Sequence, residues 1–548
     1  MKIALAQFNY HIGNFQKNTG KIIEGIQKAK SLNADLVVFS ELSVCGYPSG
    51  DFLEFDDYIH KCYQAVEDIS MHCKGIAAIV GAPARNEQPK GKPLYNAAYF
   101  IEDQKIKHVY KKGLLPNYDI FEEYRYFEPA TTFSLIGFKN KKIALTICED
   151  LWNLNDNPLY VQNPMGQLAK KGAEIMINIA ASPFSWNHNK ERKTMLIDNA
   201  RRYQLPLFYV NHIGAQTELI FDGGSMVINP KGQIKEELNY FEEDFKVVDL
   251  DHARKPNPEN ELLPEDEKYK IENIYNALVL GVRDYFGKLG FSKAILGLSG
   301  GIDSAVTMAI AADALGKENV LAVLLPGEFS TDHSLKDAEE LTKNLDSPYH
   351  IINIAETHKN FEKNLQPYFE NKPFDVTEEN IQARTRAIYL MALSNKHGYI
   401  LLNTSNKSEA AVGYGTLYGD MCGGLSVIGD VYKTDVFKLA RFINRDKEII
   451  PENTITKPPS AELKPDQKDS DSLPDYEILD KILYEYIENR QGPSEIKASG
   501  FESKLTDRIL KLVNTCEYKR FQTPPILRVS SKAFGVGRRM PIVAKYLG

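Results

Sequence analysis

No apolar run among the 548 residues approaches the roughly 20 that a membrane helix needs. That excludes a helical membrane span, and a hydrophobic share of 43% with a charged share of 25% is that of a soluble globular chain. A basic excess is also missing. The formal charge of −7, with signs interspersed, leaves no footprint for a nucleic-acid duplex, although a local patch can still grip the phosphates of a small ligand. Cysteine is sparse and unpatterned: Cys45, Cys62, Cys73, Cys148, Cys422 and Cys516 are widely scattered and show no metal-ligand pairing. The start, Met1, Lys2, Ile3, has no signal-peptide character. Reduced thiols in a cytoplasm are therefore expected, with neither membrane nor nucleic acid as a partner.

Also absent is the Lys-Ser or Lys-Thr pair that closes the common P-loop, at the one place where the chain otherwise looks built for phosphate. There a strand-like run, Ala294 to Leu298, feeds into Ser299, Gly300, Gly301, Ile302, Asp303 and Ser304. Two glycines let the backbone turn tightly with its N–H groups exposed. The apolar segment Ala305 to Leu315 then reads as a helix whose N-terminus favours an anion. Asp303 supplies a carboxylate where Mg²⁺ would bridge to phosphates. A lone Gly-Gly is more often a plain turn, but the acid and both flanking serines favour phosphate. The motif resembles the pyrophosphate-gripping loop of the N-type ATP pyrophosphatases, which split ATP into AMP and pyrophosphate while activating an acid as an adenylate.

At about 150 residues per domain, a chain of this length holds two large domains or several small ones, and two large ones are expected. In the first half, strand-like runs at Lys2 to Gln7, Leu36 to Phe39, Ile76 to Val80, Asn96 to Ile101, Ile143 to Ile147, Ile175 to Ile179, Leu207 to Asn211 and Met226 to Ile228 accompany an amphipathic helix carrying Ile22, Ile23, Ile26 and Ala29. This predicts an α/β domain with a large sheet over residues 1–250. Residues 251–270, with Pro256, Pro258 and Pro264 among a cluster of acids, read as a linker. Over 271–548, a helix Ile271 to Leu289 and strands at Val320 to Leu325, His350 to Ile354 and Tyr399 to Asn403 predict a doubly wound parallel α/β sheet with ligands at the strands' carboxyl ends. Lys457 to Asp475, rich in Pro and Asp, reads as a mobile surface loop.

Three reactive residue types fall at strand ends in the first half: Glu41, Lys112 and Cys148. Singly each is ordinary, a surface acid, a solvated lysine and a small core thiol. Together they make a base, a cation and a nucleophile, the set that hydrolyses an amide through a thioester. Glu41 would take the Cys148 proton and deliver it to leaving ammonia, and Lys112 would stabilise the thiolate and the oxyanion. The segments Phe-Ser-Glu-Leu-Ser-Val-Cys-Gly-Tyr-Pro, Tyr-Lys-Lys-Gly-Leu-Leu-Pro-Asn-Tyr and Ile-Cys-Glu-Asp-Leu-Trp resemble the nitrilase, or carbon–nitrogen hydrolase, superfamily. That resemblance implies an αββα sandwich, selects Lys112 over Lys111, and adds Glu123 as a second glutamate near the lysine.

Both halves, in this order, resemble the glutamine-dependent NAD synthetases, from Met1 to about Tyr546. The resemblance implies a nitrilase-like αββα glutaminase joined to a Rossmann-like ATP pyrophosphatase domain. It also implies the amidation of deamido-NAD with ammonia from glutamine, ATP as a substrate, Mg²⁺, and a homo-oligomer. Carried over by position, Gly297, Leu298 and the loop Ser299 to Ser304 bind ATP with Thr404 and Lys433. Asn380, Glu409 and Lys532 contact deamido-NAD, and Asp303 and Glu409 hold the metal. Tyr118 and Ser182 contact glutamine. Where relatives show Gly-Lys this chain has Asn187 and His188, so either His188 or Lys190 reaches the glutamine carboxylate, whereas Arg192 reads as an ion-paired helix residue. An enclosed ammonia path between Cys148 and the Asp303 region is expected. The alternatives are an ammonia-dependent synthetase with a decayed amidase half, and a nucleotide- or glutamine-binding sensor without turnover.

Overall fold

The computed structural model describes residues 1–154, 158–256, 267–460, 462–464 and 473–546. Its first strand, Lys2–Gln7, sends alternate side chains into two different cores, and this alternation sets the layers around it. Ile3 and Leu5 join Ile143, Leu145, Ile147, Ile175 and Ile177 of a second sheet. Ala4 and Ala6 join Ile22, Ile26 and Ala29 of helix Phe15–Ser31 and Val66 and Ile69 of helix Asp56–Met71. Large branched side chains thus fill the space between sheets, while small ones let the helices approach.

The first sheet runs in the order Asp244–Asp249, Lys2–Gln7, Leu36–Val38, Ala77–Arg85, Leu94–Glu102, Lys105–Lys111. The second runs Ile234–Glu237, Met226–Ile228, Leu207–Asn211, Ile175–Ala180, Lys141–Ile147, Ile136–Phe138. Helices Pro164–Lys170 and His188–Tyr203 add Met165, Leu168, Leu196 and Ala200 to the core of the second sheet. The layering is αββα, as the sequence led one to expect. Within these two sheets four strands were not foreseen, Lys105–Lys111, Ile136–Phe138, Ile234–Glu237 and Asp244–Asp249, and these are the four sheet edges; the separate two-stranded sheet of Ile213–Gln216 and Leu219–Asp222 was not foreseen either. Edges tolerate charge, and Lys105–Lys111 carries three lysines, which hid it from a search for apolar runs.

The chain divides into two compact units, Met1–Glu265 and Asp266–Gly548. The stretch 251–270, read as a linker, is more ordered at both ends. Asp249 caps helix Leu250–Arg254, which buries Leu250 and Ala253, and helix Glu267–Leu289 starts before residue 271. Residues 257–266 lie outside the described residues.

The second unit is built on a five-stranded sheet ordered Tyr349–Ile351, Val320–Leu324, Ala294–Gly297, Ile400–Asn403, Leu425–Ser426, with every pair parallel. Strand order reverses beside Ala294–Gly297, so the loop Ser299 to Ser304 leaves the carboxyl end of a strand at the switch point. Helices Tyr476–Ile487 and Ser503–Thr515 add a separate apolar cluster with Leu479, Ile482, Leu483, Ile509 and Leu510, packed on Ala411 and Val412. The sequence reading assigned no elements there. At the start of the segment read as a mobile loop, Lys457 pairs with Asp337 at 3.0 Å, and Glu462 accepts from Ser334 Oγ at 2.7 Å. Residues 461 and 465–472 of that segment lie outside the described residues.

Within the first unit, Arg192 on helix His188–Tyr203 donates from both terminal nitrogens to Asp222, at 2.9 and 2.6 Å. Both side chains are almost fully buried. Breaking such a pair strands a charge away from water, so Arg192→Met is expected to destabilise the first unit by about 3–5 kcal/mol. A denaturant midpoint followed by a probe in that unit checks this, and a loss below about 1 kcal/mol, the usual worth of a surface pair, contradicts it.

Candidate active sites

The strand Leu36–Val38 ends three residues before Glu41, the strand Lys105–Lys111 delivers Lys112, and Lys141–Ile147 runs straight into Cys148. Two sheets thus bring their carboxyl-end residues to one place. Glu41 and Lys112 are 0% exposed, Glu123 is 5% and Cys148 is 8%. The Lys112 ammonium donates to Glu41 Oε1 at 2.6 Å and to both oxygens of Glu123 at 2.8 and 2.9 Å. Its three protons are spent on two carboxylates. Burial works against the charge, but Glu123 and Glu41 more than offset it and hold Lys112 above the usual lysine value.

Other side chains complete the arrangement. Asn96 donates to Glu41 Oε1 at 2.7 Å and to Glu123 Oε2 at 3.3 Å, and Tyr47 donates to Glu123 Oε1 at 3.0 Å. The Ala181 N–H donates to Glu41 Oε2 at 2.9 Å. Sequence reasoning missed these partners, although a lone Asn in the otherwise apolar Leu94–Phe100 run was a signal. Cys148 has φ +41°, in the left-handed region that a non-glycine residue visits only when its surroundings hold it there. Burial and the Glu41 charge push its thiol well above the usual cysteine value, against the pull of Lys112. The resting sulfur is therefore a thiol, and it needs a base beside it.

The residues expected at glutamine make the following contacts. Tyr118 and Tyr160 both donate to Glu149 Oε1, at 3.0 and 2.9 Å. Ser182 Oγ lies 3.2 Å from His188 Nε2, and the His188 ring stacks on Trp152 with centroids 5.1 Å apart. Lys190, two residues further along the helix, is exposed. Glu149, Tyr160 and Trp152 were not foreseen.

In the second unit, Gly297, Leu298, Ser299, Gly301, Ile302, Asp303, Ser304, Thr404, Glu409 and Lys433 line a single cavity of about 320 Å³. Gly300 turns away from it. With φ +79°, it lies so close to Ser334 that an added Cβ would meet the carbonyl oxygen at 2.2 Å, so only glycine fits. Ser299 Oγ and Ser304 Oγ are 3.1 Å apart and brace the turn, and helix Ile302–Leu315 presents its N-terminus there. Lys433, 2% exposed, donates to Asp303 Oδ2 and lies 3.4 Å from Glu409 Oε1. Asn406, which sequence reasoning missed, donates to Asp303 Oδ1 at 2.9 Å. Two carboxylates around one cation are the donor chemistry that a hard divalent ion accepts, so Asp303 and Glu409 fit Mg²⁺. Asn380 and Lys532 are not among the cavity-lining residues: Asn380 accepts from Thr416 Oγ1 at 2.7 Å, and the Lys532 carbonyl accepts from Lys407 Nζ at 2.9 Å.

Comparison with known proteins finds a counterpart for each half of the chain. The family model for carbon-nitrogen hydrolases matches residues 2–255, and that for NAD synthase matches residues 274–523. A glutamine-dependent NAD(+) synthetase of Synechocystis sp. is 44% identical over 553 residues, covering 99% of this chain and 99% of the relative. One from Thermotoga maritima is 39% identical over 581 residues, covering 100% and 99%. Among solved structures, the glutamine-dependent NAD+ synthetase of Acinetobacter baumannii in complex with adenosine diphosphate matches with a TM-score of 0.77 at 39% identity, over 99% of this chain and 98% of that one. That of Cytophaga hutchinsonii shares the fold, with a TM-score of 0.83 at 21% identity, over 99% of this chain and 98% of that one. Two catalytic-type sites, two matching family models and full-length relatives lead to one statement: the chain belongs to the glutamine-dependent NAD(+) synthetases.

Proposed function

We propose that this chain converts deamido-NAD to NAD with ATP and glutamine, Cys148 freeing the nitrogen and the cavity at Asp303 consuming it. The observation that carries the reading is the sealed Glu41, Lys112, Glu123 cluster beside Cys148 in the same chain as a phosphate loop. Its intactness speaks against a decayed amidase half, and a sensor has no need of a nucleophile paired with a base.

In the first unit, Glu41 takes the thiol proton as Cys148 sulfur attacks the side-chain amide carbon of glutamine. The Lys112 ammonium, fixed by Glu41 and Glu123, stabilises the developing oxyanion. Glu41 then passes its proton to the departing nitrogen, and ammonia leaves a thioester. Water, deprotonated by Glu41, hydrolyses that thioester to glutamate and restores the thiol. Tyr118, Ser182 and His188 hold the amino-acid end of glutamine.

In the second unit, the carboxylate of deamido-NAD attacks the α-phosphorus of ATP, pyrophosphate departs, and ammonia displaces AMP from the resulting adenylate. The N–H groups of the Ser299 to Ser304 loop, the helix N-terminus and Lys433 hold the phosphates, with Thr404 beside them. Asn380, Glu409 and Lys532 are assigned to deamido-NAD. Asp303 and Glu409 would hold Mg²⁺, which when bound offsets the negative charge gathered on ATP. The same reading includes a homo-oligomer and a cytoplasmic setting, the latter supported by six free cysteines.

Cys148→Ala is expected to lower glutamine-supported NAD formation by on the order of 10³-fold or more while leaving ammonia-supported synthesis intact. Asp303→Ala should abolish synthesis from either nitrogen source and spare some glutamine hydrolysis. Parallel product assays with glutamine and ammonium decide, and glutamine-supported NAD from Cys148→Ala would restore the ammonia-only alternative. A pH dependence follows from Glu123, whose carboxyl burial pushes up to about 7 against the pull of Lys112. Below that value Glu123 is protonated and Lys112 keeps one carboxylate instead of two. Glutamate release at saturating glutamine should therefore fall on the acid side of about 7. In Glu123→Gln this limb should vanish at a lower plateau, and an identical limb in both proteins would refute the assignment.

A further inference from the structure

Asp150 is 1% exposed and takes no part in the chemistry above, yet it touches both elements that carry it. Its Oδ1 accepts from the N–H groups of Gly113 and Leu114, at 3.0 and 2.9 Å. Its Oδ2 accepts from the Ile147 N–H at 3.1 Å and the Tyr110 hydroxyl at 3.0 Å. Gly113 and Leu114 directly follow Lys112, Tyr110 precedes it by two residues, and Ile147 directly precedes Cys148. We infer that Asp150 is a positioning residue for glutamine hydrolysis, its carboxylate setting the register between the strand end bearing Lys112 and the turn bearing Cys148. The inference rests on the roles given above to Cys148 and Lys112.

Lys112 belongs to the end of a strand in one sheet and Cys148 to the end of a strand in the other. Hydrogen bonds within either sheet cannot fix the offset between them. A carboxylate with four acceptor positions can, because each oxygen takes two donors and the group is rigid. Cys148 also needs such a hold, since its φ of +41° lies where a side chain is strained. The Gly113 and Leu114 N–H groups are buried, so removing their acceptor leaves donors unpaired away from water. Burial pushes the Asp150 carboxyl up to about 6, against the donors at Ile147, Leu114 and Gly113 and the charge of Lys112, so at neutral pH it is the four-bond carboxylate that is present.

Asp150→Asn keeps the side-chain volume but leaves one acceptor oxygen and turns an NH₂ toward other donors. In the full chain it is expected to lower kcat for glutamate release by about 100-fold, the cost of a misplacement near 1 Å, with KM for glutamine little changed. Alkylation of Cys148 by iodoacetamide should slow in parallel, whereas ammonia-supported NAD synthesis, performed in the other unit, should be unaffected. Wild-type kcat and alkylation rate in Asp150→Asn would overturn the inference, as would a change confined to KM. If Cys148→Ala itself still hydrolysed glutamine, the underlying reading would fail instead. Should Asp150→Asn lose ammonia-supported synthesis or fail to fold, Tyr110→Phe decides by removing one bond without emptying space. A lower kcat at unchanged KM upholds the inference, and an unchanged kcat overturns it.

Discussion

A lysine ammonium with no exposure to water is held by two carboxylates of side-chain exposure 1% and 5%, and the first unit's chemistry depends on that enclosure. Removing such a charge from water costs several kcal/mol, and only close, well-aligned partners return it. Glu41 and Glu123 do so while being locked themselves by Asn96, Tyr47 and the Ala181 N–H. The cation is therefore in place before substrate arrives, and in the proposed reaction its charge would act on the negative charge that develops on the amide oxygen. The same low-dielectric setting keeps the Cys148 sulfur protonated at rest, which makes the nearby base necessary.

The second unit uses a related device with a different degree of closure. Lys433 is as buried as a core residue, but its carboxylate partners Asp303 and Glu409 keep 18% and 16% of their side-chain surface exposed and line the cavity. Charges that remain partly solvated exchange partners at lower cost than sealed ones. In the first unit the ion cluster is sealed inside the scaffold, and in the second it lines the cavity to which ATP is assigned in the proposed reaction. In both units a largely buried strand, Ala294–Gly297 or Lys141–Ile147, leads into a turn of positive φ, at Gly300 or at Cys148.

Much of this was legible because the reactive residues sit immediately after apolar runs: Ile143 to Ile147 before Cys148, and Ala294 to Leu298 before Ser299. A buried strand followed by a polar residue leaves that residue at a sheet's carboxyl end, where sites form. The edges were not legible, because Lys105–Lys111 and Ile234–Glu237 face solvent and carry charge like any loop. Nor were the supports. Asn96 and Tyr47 lie far in sequence from the groups they bond, as Asp150 does from Tyr110, Gly113 and Leu114, and nothing in local spacing reveals which acid of Cys148-Glu149-Asp150 turns toward Gly113. The structure places Gly297 to Ser304, Thr404, Glu409 and Lys433 around one turn and cavity. It leaves Asn380 and Lys532 outside the cavity wall, engaged with Thr416 and Lys407.

The central claim is that nitrogen leaves glutamine at a sulfur nucleophile and ends in the dinucleotide made by the same chain. It is tested most directly by supplying glutamine labelled with ¹⁵N at the side-chain amide, together with ATP and deamido-NAD and no added ammonium, and reading the mass of the nicotinamide carboxamide. The account predicts labelled NAD from the intact chain. NAD formed from glutamine without the label would contradict it.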